Sequence, residues 1–112
     1  MTAIDYSWFF DLSHDLLCVA RPDGYFDKVN AAFSRELGWT AEQLVSRPFF
    51  DFVHPDDVAA TRAELESLST GLPTLSFENR YARAEGGWAR LHWTAFLEKR
   101  SGLVYGIARP IR

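Results

Sequence analysis

Residues 53–57 read Val-His-Pro-Asp-Asp, which sets an imidazole beside two carboxylates. Acid/base catalysis and metal binding are the two chemistries these side chains could perform. Neighbouring residues on a helix point about 100° apart, so Asp56 and Asp57 do not converge on one proton as a general acid and base must. A metal held by His54 and Asp57 needs further ligands, and no His/Cys/Asp/Glu spacing supplies them. The stretch reads instead as a helix start. Pro55 suits the first helical position, His54 the cap before it, and the two aspartates the first turn, where free N–H groups and the helix dipole favour negative charge.

Other chemistry is equally sparse. Gly86-Gly87 lacks the strand–loop–helix setting and the lysine of a phosphate loop. Cys18 is the sole cysteine, so it forms no internal disulfide, and its surroundings "DLLCVA" predict a buried, unreactive thiol. The 12 basic and 15 acidic residues give a net charge of −3 without a basic cluster, which argues against a nucleic-acid partner. No apolar run approaches the roughly 20 residues of a membrane span, and the first residues do not resemble a signal peptide. The expectation is one soluble cytoplasmic domain, without catalytic or metal residues and without membrane insertion.

The elements follow from periodicity and turn chemistry. Residues 5–12 place Trp8, Phe9 and Leu12 on one helical side, and Asp5 favours the N-terminus. "LLCVAR" and "YFDKVN" are strand-like runs around Pro22-Asp23-Gly24, a hairpin turn in which proline fixes φ and glycine supplies a positive one. From Asn30 the pattern becomes helical through Ala32, Phe33 and Leu37, and Gly38 ends it. Thr40 and Gln43 match a capping box. "FFDFV" predicts a single helical turn. The main helix follows "HPDD", with Val58, Thr61, Leu65 and Leu68 on one face and Gly71 at its end. "LSFENRYAR", "WARLHWTAFLE" and "LVYGIAR" are three strands joined by short turns. This order implies an α+β domain with an antiparallel sheet.

The run "DLLCVARPDGYFDKVNAAFSRELGWTAEQLVSRPFFDFVHPDD", then "FENRYARAEGGWARLHW" and "VYGIAR", resembles the PAS domains of bacterial signalling proteins. The resemblance covers about residues 10–109. It implies a five-stranded antiparallel sheet of order 2-1-5-4-3, with short helices on one face around a small cavity. Residues 1–12 would form a flanking helix and 13–112 the domain. A sensory or dimerisation module regulating an attached or separate output domain, such as a histidine kinase or a diguanylate cyclase, is the function implied. A stand-alone small-molecule carrier and, less favoured, a small enzyme are the alternatives.

Flavin photosensors of this family carry a reactive cysteine near the segment "SRPFFDF", which here has none. Asn79 takes one position that grips the flavin ring, but Leu91 and Ala108 take the matching places and cannot hydrogen bond. Haem-binding members supply a histidine from the main helix, which lacks one. Neither a covalent flavin nor a haem is expected, and any ligand would be small and apolar. By alternation Phe77, Asn79 and Tyr81 share the inward face with Leu91, Trp93 and Ala95. His92 points outward, beside Arg80 and Glu78. The candidate pocket joins Phe77, Asn79, Tyr81, Leu91 and Trp93 to helical Phe33, Leu37, Phe49, Phe52 and Leu65. Its polar handles are Asn79, Tyr81 and the Trp93 indole, and the bulk of Tyr81 and Trp93 points to a mostly filled interior.

The first helix is too short to be stable alone. With Val104, Gly106 and Ala108 inward, Tyr105 and Ile107 lie on the outer face, and Trp8, Phe9, Leu12, Tyr105 and Ile107 form a candidate homodimer interface. At the end of the last strand many PAS domains carry Asp-Ile-Thr, where this chain has Pro110-Ile111-Arg112.

Overall fold

Alternating burial and local capping build each element of the computed structural model, which describes residues 2–112. The flanking segment is therefore described apart from Met1. Asp5 Oδ1 accepts from the Ser7 backbone N–H and hydroxyl at 3.0 and 2.5 Å, and helix α1 runs over Ser7–Leu12 with no buried residue. Strand β1, Leu16–Ala20, buries alternate residues. It pairs antiparallel with β2, Phe26–Val29, across a turn where Gly24 takes φ 89°. That conformation is open to glycine and costly for other residues.

Asn30 joins three elements. Its side-chain oxygen accepts from the N–H groups of Leu17 and Phe33, and its amide donates to the carbonyls of Phe10 and Asp15 at 2.9 Å each. It thereby caps α2, Ala31–Leu37, which ends at Gly38 with φ 84°. The Thr40–Gln43 capping box is formed at the start of α3, Ala41–Val45. Phe49–Phe52 makes one 3₁₀ turn and Pro55–Asp57 another, leading into α4, Val58–Ser69.

Strands β3 (Thr74–Ala82), β4 (Trp88–Glu98) and β5 (Leu103–Pro110) complete a sheet of order β2-β1-β5-β4-β3 with antiparallel pairing throughout. The α+β class and strand order agree with expectation. The helices cover the inner face, where Leu16, Phe33, Leu37, Leu44 and Leu91 are sealed. The outer face exposes Phe96, Tyr105 and Ile107.

The stretch 53–57 does more than start a helix. His54 Nδ1 accepts from the Asp56 N–H at 3.0 Å, the cap expected of it. Val53 bridges to Tyr81, and the His54 N–H donates to the Arg80 carbonyl at 2.9 Å. Asp57 accepts from the Arg80 backbone N–H, Nε and Nη2 at 2.8–2.9 Å. Hydrogen bonding from this guanidinium, outweighing desolvation, holds the Asp57 carboxyl below its usual range. The sequence placed Arg80 and Glu78 beside His92. Register does set Glu78 directly opposite His92, but the Glu78 carboxylate pairs with Arg90, His92 meets the Ser76 hydroxyl, and Arg80 turns away to Asp57.

Candidate functional site

Between α4 and the inner faces of β1, β3, β4 and β5 lies a cavity of about 70 Å³. Its construction follows from two periods. Helix α4 contributes Thr61, Glu64, Leu65 and Leu68, spaced i, i+3, i+4 and i+7, while period-2 alternation supplies Phe77, Asn79 and Tyr81 from β3. Trp93 enters from β4 and Cys18 from β1. Room for the last two depends on Gly106, directly opposite Cys18 in the β1–β5 pair. A Cβ on Gly106 would stand 3.0 Å from Cys18 Sγ and 3.1 Å from the Trp93 ring.

Most polar groups of the wall satisfy one another. The Trp93 indole N–H donates to Asn79 Oδ1 at 2.7 Å, Asn79 Nδ2 donates to Thr61 Oγ1 at 3.1 Å, and Thr61 donates to the Asp57 carbonyl at 2.8 Å. Asn79 and Trp93, expected as handles for a ligand, are thus committed to each other, and the chain of bonds reaches the residue that clamps Arg80.

Tyr81 differs. It is 3% exposed, and its hydroxyl makes no hydrogen bond to the described residues. Every sealed polar side-chain atom has a partner, so this hydroxyl is not sealed, and Tyr81 is one of the residues that line the cavity. Burial pushes the Tyr81 phenol well above its ordinary pKa, and Cys18 adds to that. Burial likewise pushes the Cys18 thiol up to about 12. Both groups are neutral at pH 7. They form a soft, weakly polar corner suited to binding and to neither nucleophilic attack nor proton transfer.

A family model described as the PAS fold matches residues 26–108, well over half of the chain. The chain belongs to the PAS family. Such domains are as a rule sensory and non-catalytic. The fold likeness extends beyond the matched segment. A domain of a sensory box sensor histidine kinase/response regulator from Geobacter sulfurreducens has TM-score 0.81 at 23% identity, with 93% of this chain and 90% of that one covered. For a PAS domain from Colwellia psychrerythraea the values are 0.82, 19%, 94% and 92%. A PAS domain of an HTR-like protein from Haloarcula marismortui gives 0.74, 26%, 92% and 86%. No curated protein matches the chain.

Of the ten residues the sequence placed on the pocket of this PAS domain, the cavity brings together Phe49, Leu65, Phe77, Asn79, Tyr81 and Trp93. Phe33, Leu37, Phe52 and Leu91 do not line it. They pack in the closed core, where Phe33 meets Phe26 at 5.4 Å and Phe52 meets Trp39 at 5.5 Å between ring centroids. Facing inward is therefore not the same as facing the void. Among the lining residues the sequence reading missed are Cys18, Thr61, Glu64, Thr74 and Gly106, with Phe26 from β2. Alternation through Leu16, Cys18 and Ala20, and the α4 spacing, carried the signal for three of them. Leu65, Leu68, Phe49 and Val104 also line an outer cleft of about 450 Å³, so they form the partition between cavity and surface.

The flanking helix exposes Trp8, Phe9 and Leu12 at 66%, 70% and 68%. Phe10 anchors it, with Lys28 Nζ 5.0 Å above the ring. Tyr105 and Ile107 are exposed on the sheet, and Phe96, opposite Tyr105, enlarges their patch. At the last strand Pro110 continues the pairing against Leu91, and Arg112 reaches Glu36 at 2.8 Å beside Arg83. Burial opposes ionisation of Glu36, but the two arginines together hold its carboxyl below its ordinary range. Among the described residues no group of three or more His, Cys, Asp or Glu side chains could hold a metal, and no helix is long and apolar enough to cross a membrane.

Proposed function

We propose that this PAS domain is a sensory and dimerisation module: a small molecule occupies the cavity, and its presence is passed to an attached or partner output domain such as a histidine kinase or diguanylate cyclase. The Tyr81 hydroxyl, without a protein partner on a residue that lines this partly open cavity, is the observation that carries the reading, because a largely buried hydroxyl favours an occupant that bonds to it. A volume of about 70 Å³ is far below the roughly 300 Å³ of the smallest drug-sized pockets. It supports a ligand of a few atoms and argues against flavin or haem. A PAS domain of a LuxR-family transcriptional regulator from Burkholderia thailandensis, with TM-score 0.80 and 17% identity, is described in complex with ethanol, a molecule of this size.

The route outward runs from Trp93 through Asn79 and Thr61 to Asp57 and Arg80. Signalling through a homodimer fits the exposed Trp8, Phe9 and Leu12 of α1 and the Tyr105–Ile107 face, which offer a second copy two apolar surfaces. A cytoplasmic setting is part of the same reading. Sedimentation at tens of micromolar tests assembly: a dimer that Trp8→Asp dissociates is expected, and a monomer unchanged by the substitution removes it. Native mass spectrometry tests the ligand. Stoichiometric haem or flavin would overturn the small-ligand reading.

A further inference from the structure

Glu64 is the one formally charged side chain on the cavity wall. It is part-buried, and its Oε2 accepts from the Thr74 hydroxyl at 2.9 Å. Among the described residues no Lys, Arg or His lies within salt-bridge distance of it. Five aromatic rings line the same void, those of Phe26, Phe49, Phe77, Tyr81 and Trp93. Ring faces carry negative potential and attract cations, the more strongly where water is excluded. The cavity wall thus offers a part-buried carboxylate without a counterion, together with five aromatic residues.

We propose that the cavity selects a small protonated amine, with its ammonium group donating to Glu64 and to the Tyr81 hydroxyl oxygen and its short apolar part against the aromatic residues and Cys18. This rests on the reading of the cavity as a ligand site and names the class it prefers. An anion would meet Glu64 with no compensating cation. An apolar occupant would strip water from that carboxylate and replace none of its bonds, and a neutral alcohol could donate one hydrogen bond but leave the charge uncompensated. An ammonium both replaces those bonds and neutralises the charge. At a liquid share of about 30 Å³ per water, the space of about 70 Å³ holds roughly two water-sized groups, which limits the amine to a few atoms, ethylammonium at the upper end.

Titration of the protein with ethylammonium chloride, ethanol and sodium acetate, at ionic strength fixed with sodium chloride, tests the proposal through the Trp93 indole N–H resonance. Saturable shifts are expected with ethylammonium at a concentration at least tenfold below that needed for ethanol, and none with acetate. Glu64→Gln, which retains an oxygen for Thr74, should abolish the tenfold preference and leave the ethanol response in place. Ethanol or acetate saturating at or below the ethylammonium concentration overturns the proposal, as does a preference that survives Glu64→Gln; the cavity would still be a ligand site. If no probe moves Trp93, the ligand-site reading falls and the amine proposal with it.

Discussion

Beneath the sheet, the region covered by α2 and α3 and the region covered by α4 use the same side-chain types at different densities. Phe33, Leu37 and Leu44 are 0%, 1% and 0% exposed, and rings interlock from Phe33 through Phe26 to Phe49. Of the residues of α4 itself only Thr61 and Leu68 are buried, Leu65 and the facing Phe77 are part-exposed, and a void remains. One region is packed to completion and the other left adjustable. In a sensor such a division lets occupancy shift one helix while the fold stays fixed.

Substitutions in the two regions should separate them. Phe33→Ala removes a sealed ring from the dense region and is expected to cost about 3–5 kcal/mol, read from urea midpoints. Gly106→Ala places a methyl group 3.0 Å from Cys18 Sγ and 3.1 Å from the Trp93 ring. Its backbone tolerates alanine, so the cost is steric, about 1–3 kcal/mol, and pressing the ring toward the void should weaken the response of the Trp93 indole to ethanol and ethylammonium alike. Unchanged stability and response would show that the two sides give way freely.

Asp57→Asn keeps the shape of the link between the α4 start and β3 and removes its charge, at a cost of about 1–2 kcal/mol. Because the folded pKa of Asp57 is lowered from 3.8, the ionised contribution is full above that value and lost as pH falls through the lower folded one. The gap between wild type and Asp57→Asn should therefore close below about pH 3.8, measured by urea titration at stepped pH. A gap that stays constant would assign the loss to geometry instead of charge. Smallest is Leu65→Ala. Its partial exposure and the space beside it reduce the loss to about 1 kcal/mol, while thinning the partition should admit probes faster from the outer cleft. A loss equal to that of Phe33→Ala would erase the distinction between the regions.

Local chemistry made much of the fold legible. Pro22-Asp23-Gly24, the Thr40–Gln43 box and Gly38 act within a few residues, and each formed as their side chains dictate. Alternation also gave the inward set of β3 and β4. Which part of that face meets the void was not legible, because it depends on how helices of different length cover it. That is why Leu91 is sealed and Trp93, two residues on, lines the cavity. Asp57 and Arg80 lie 23 residues apart and Asn79 and Trp93 are 14 apart. Such pairings require strand register and helix docking together, and no local pattern specifies them.

The close approach of Cys18 to the Gly106 backbone has an experimental consequence. With its pKa near 12, the thiol is ionised on the order of once in 10⁵ molecules at pH 7, and alkylating reagents attack the thiolate. Modification in the closed state should then be negligible, and the observed rate would report the open population or, where reagent outpaces reclosing, the opening rate of β1 from β5 and α4. The native sequence thus carries its own labelling probe of opening, needing neither dye nor substitution.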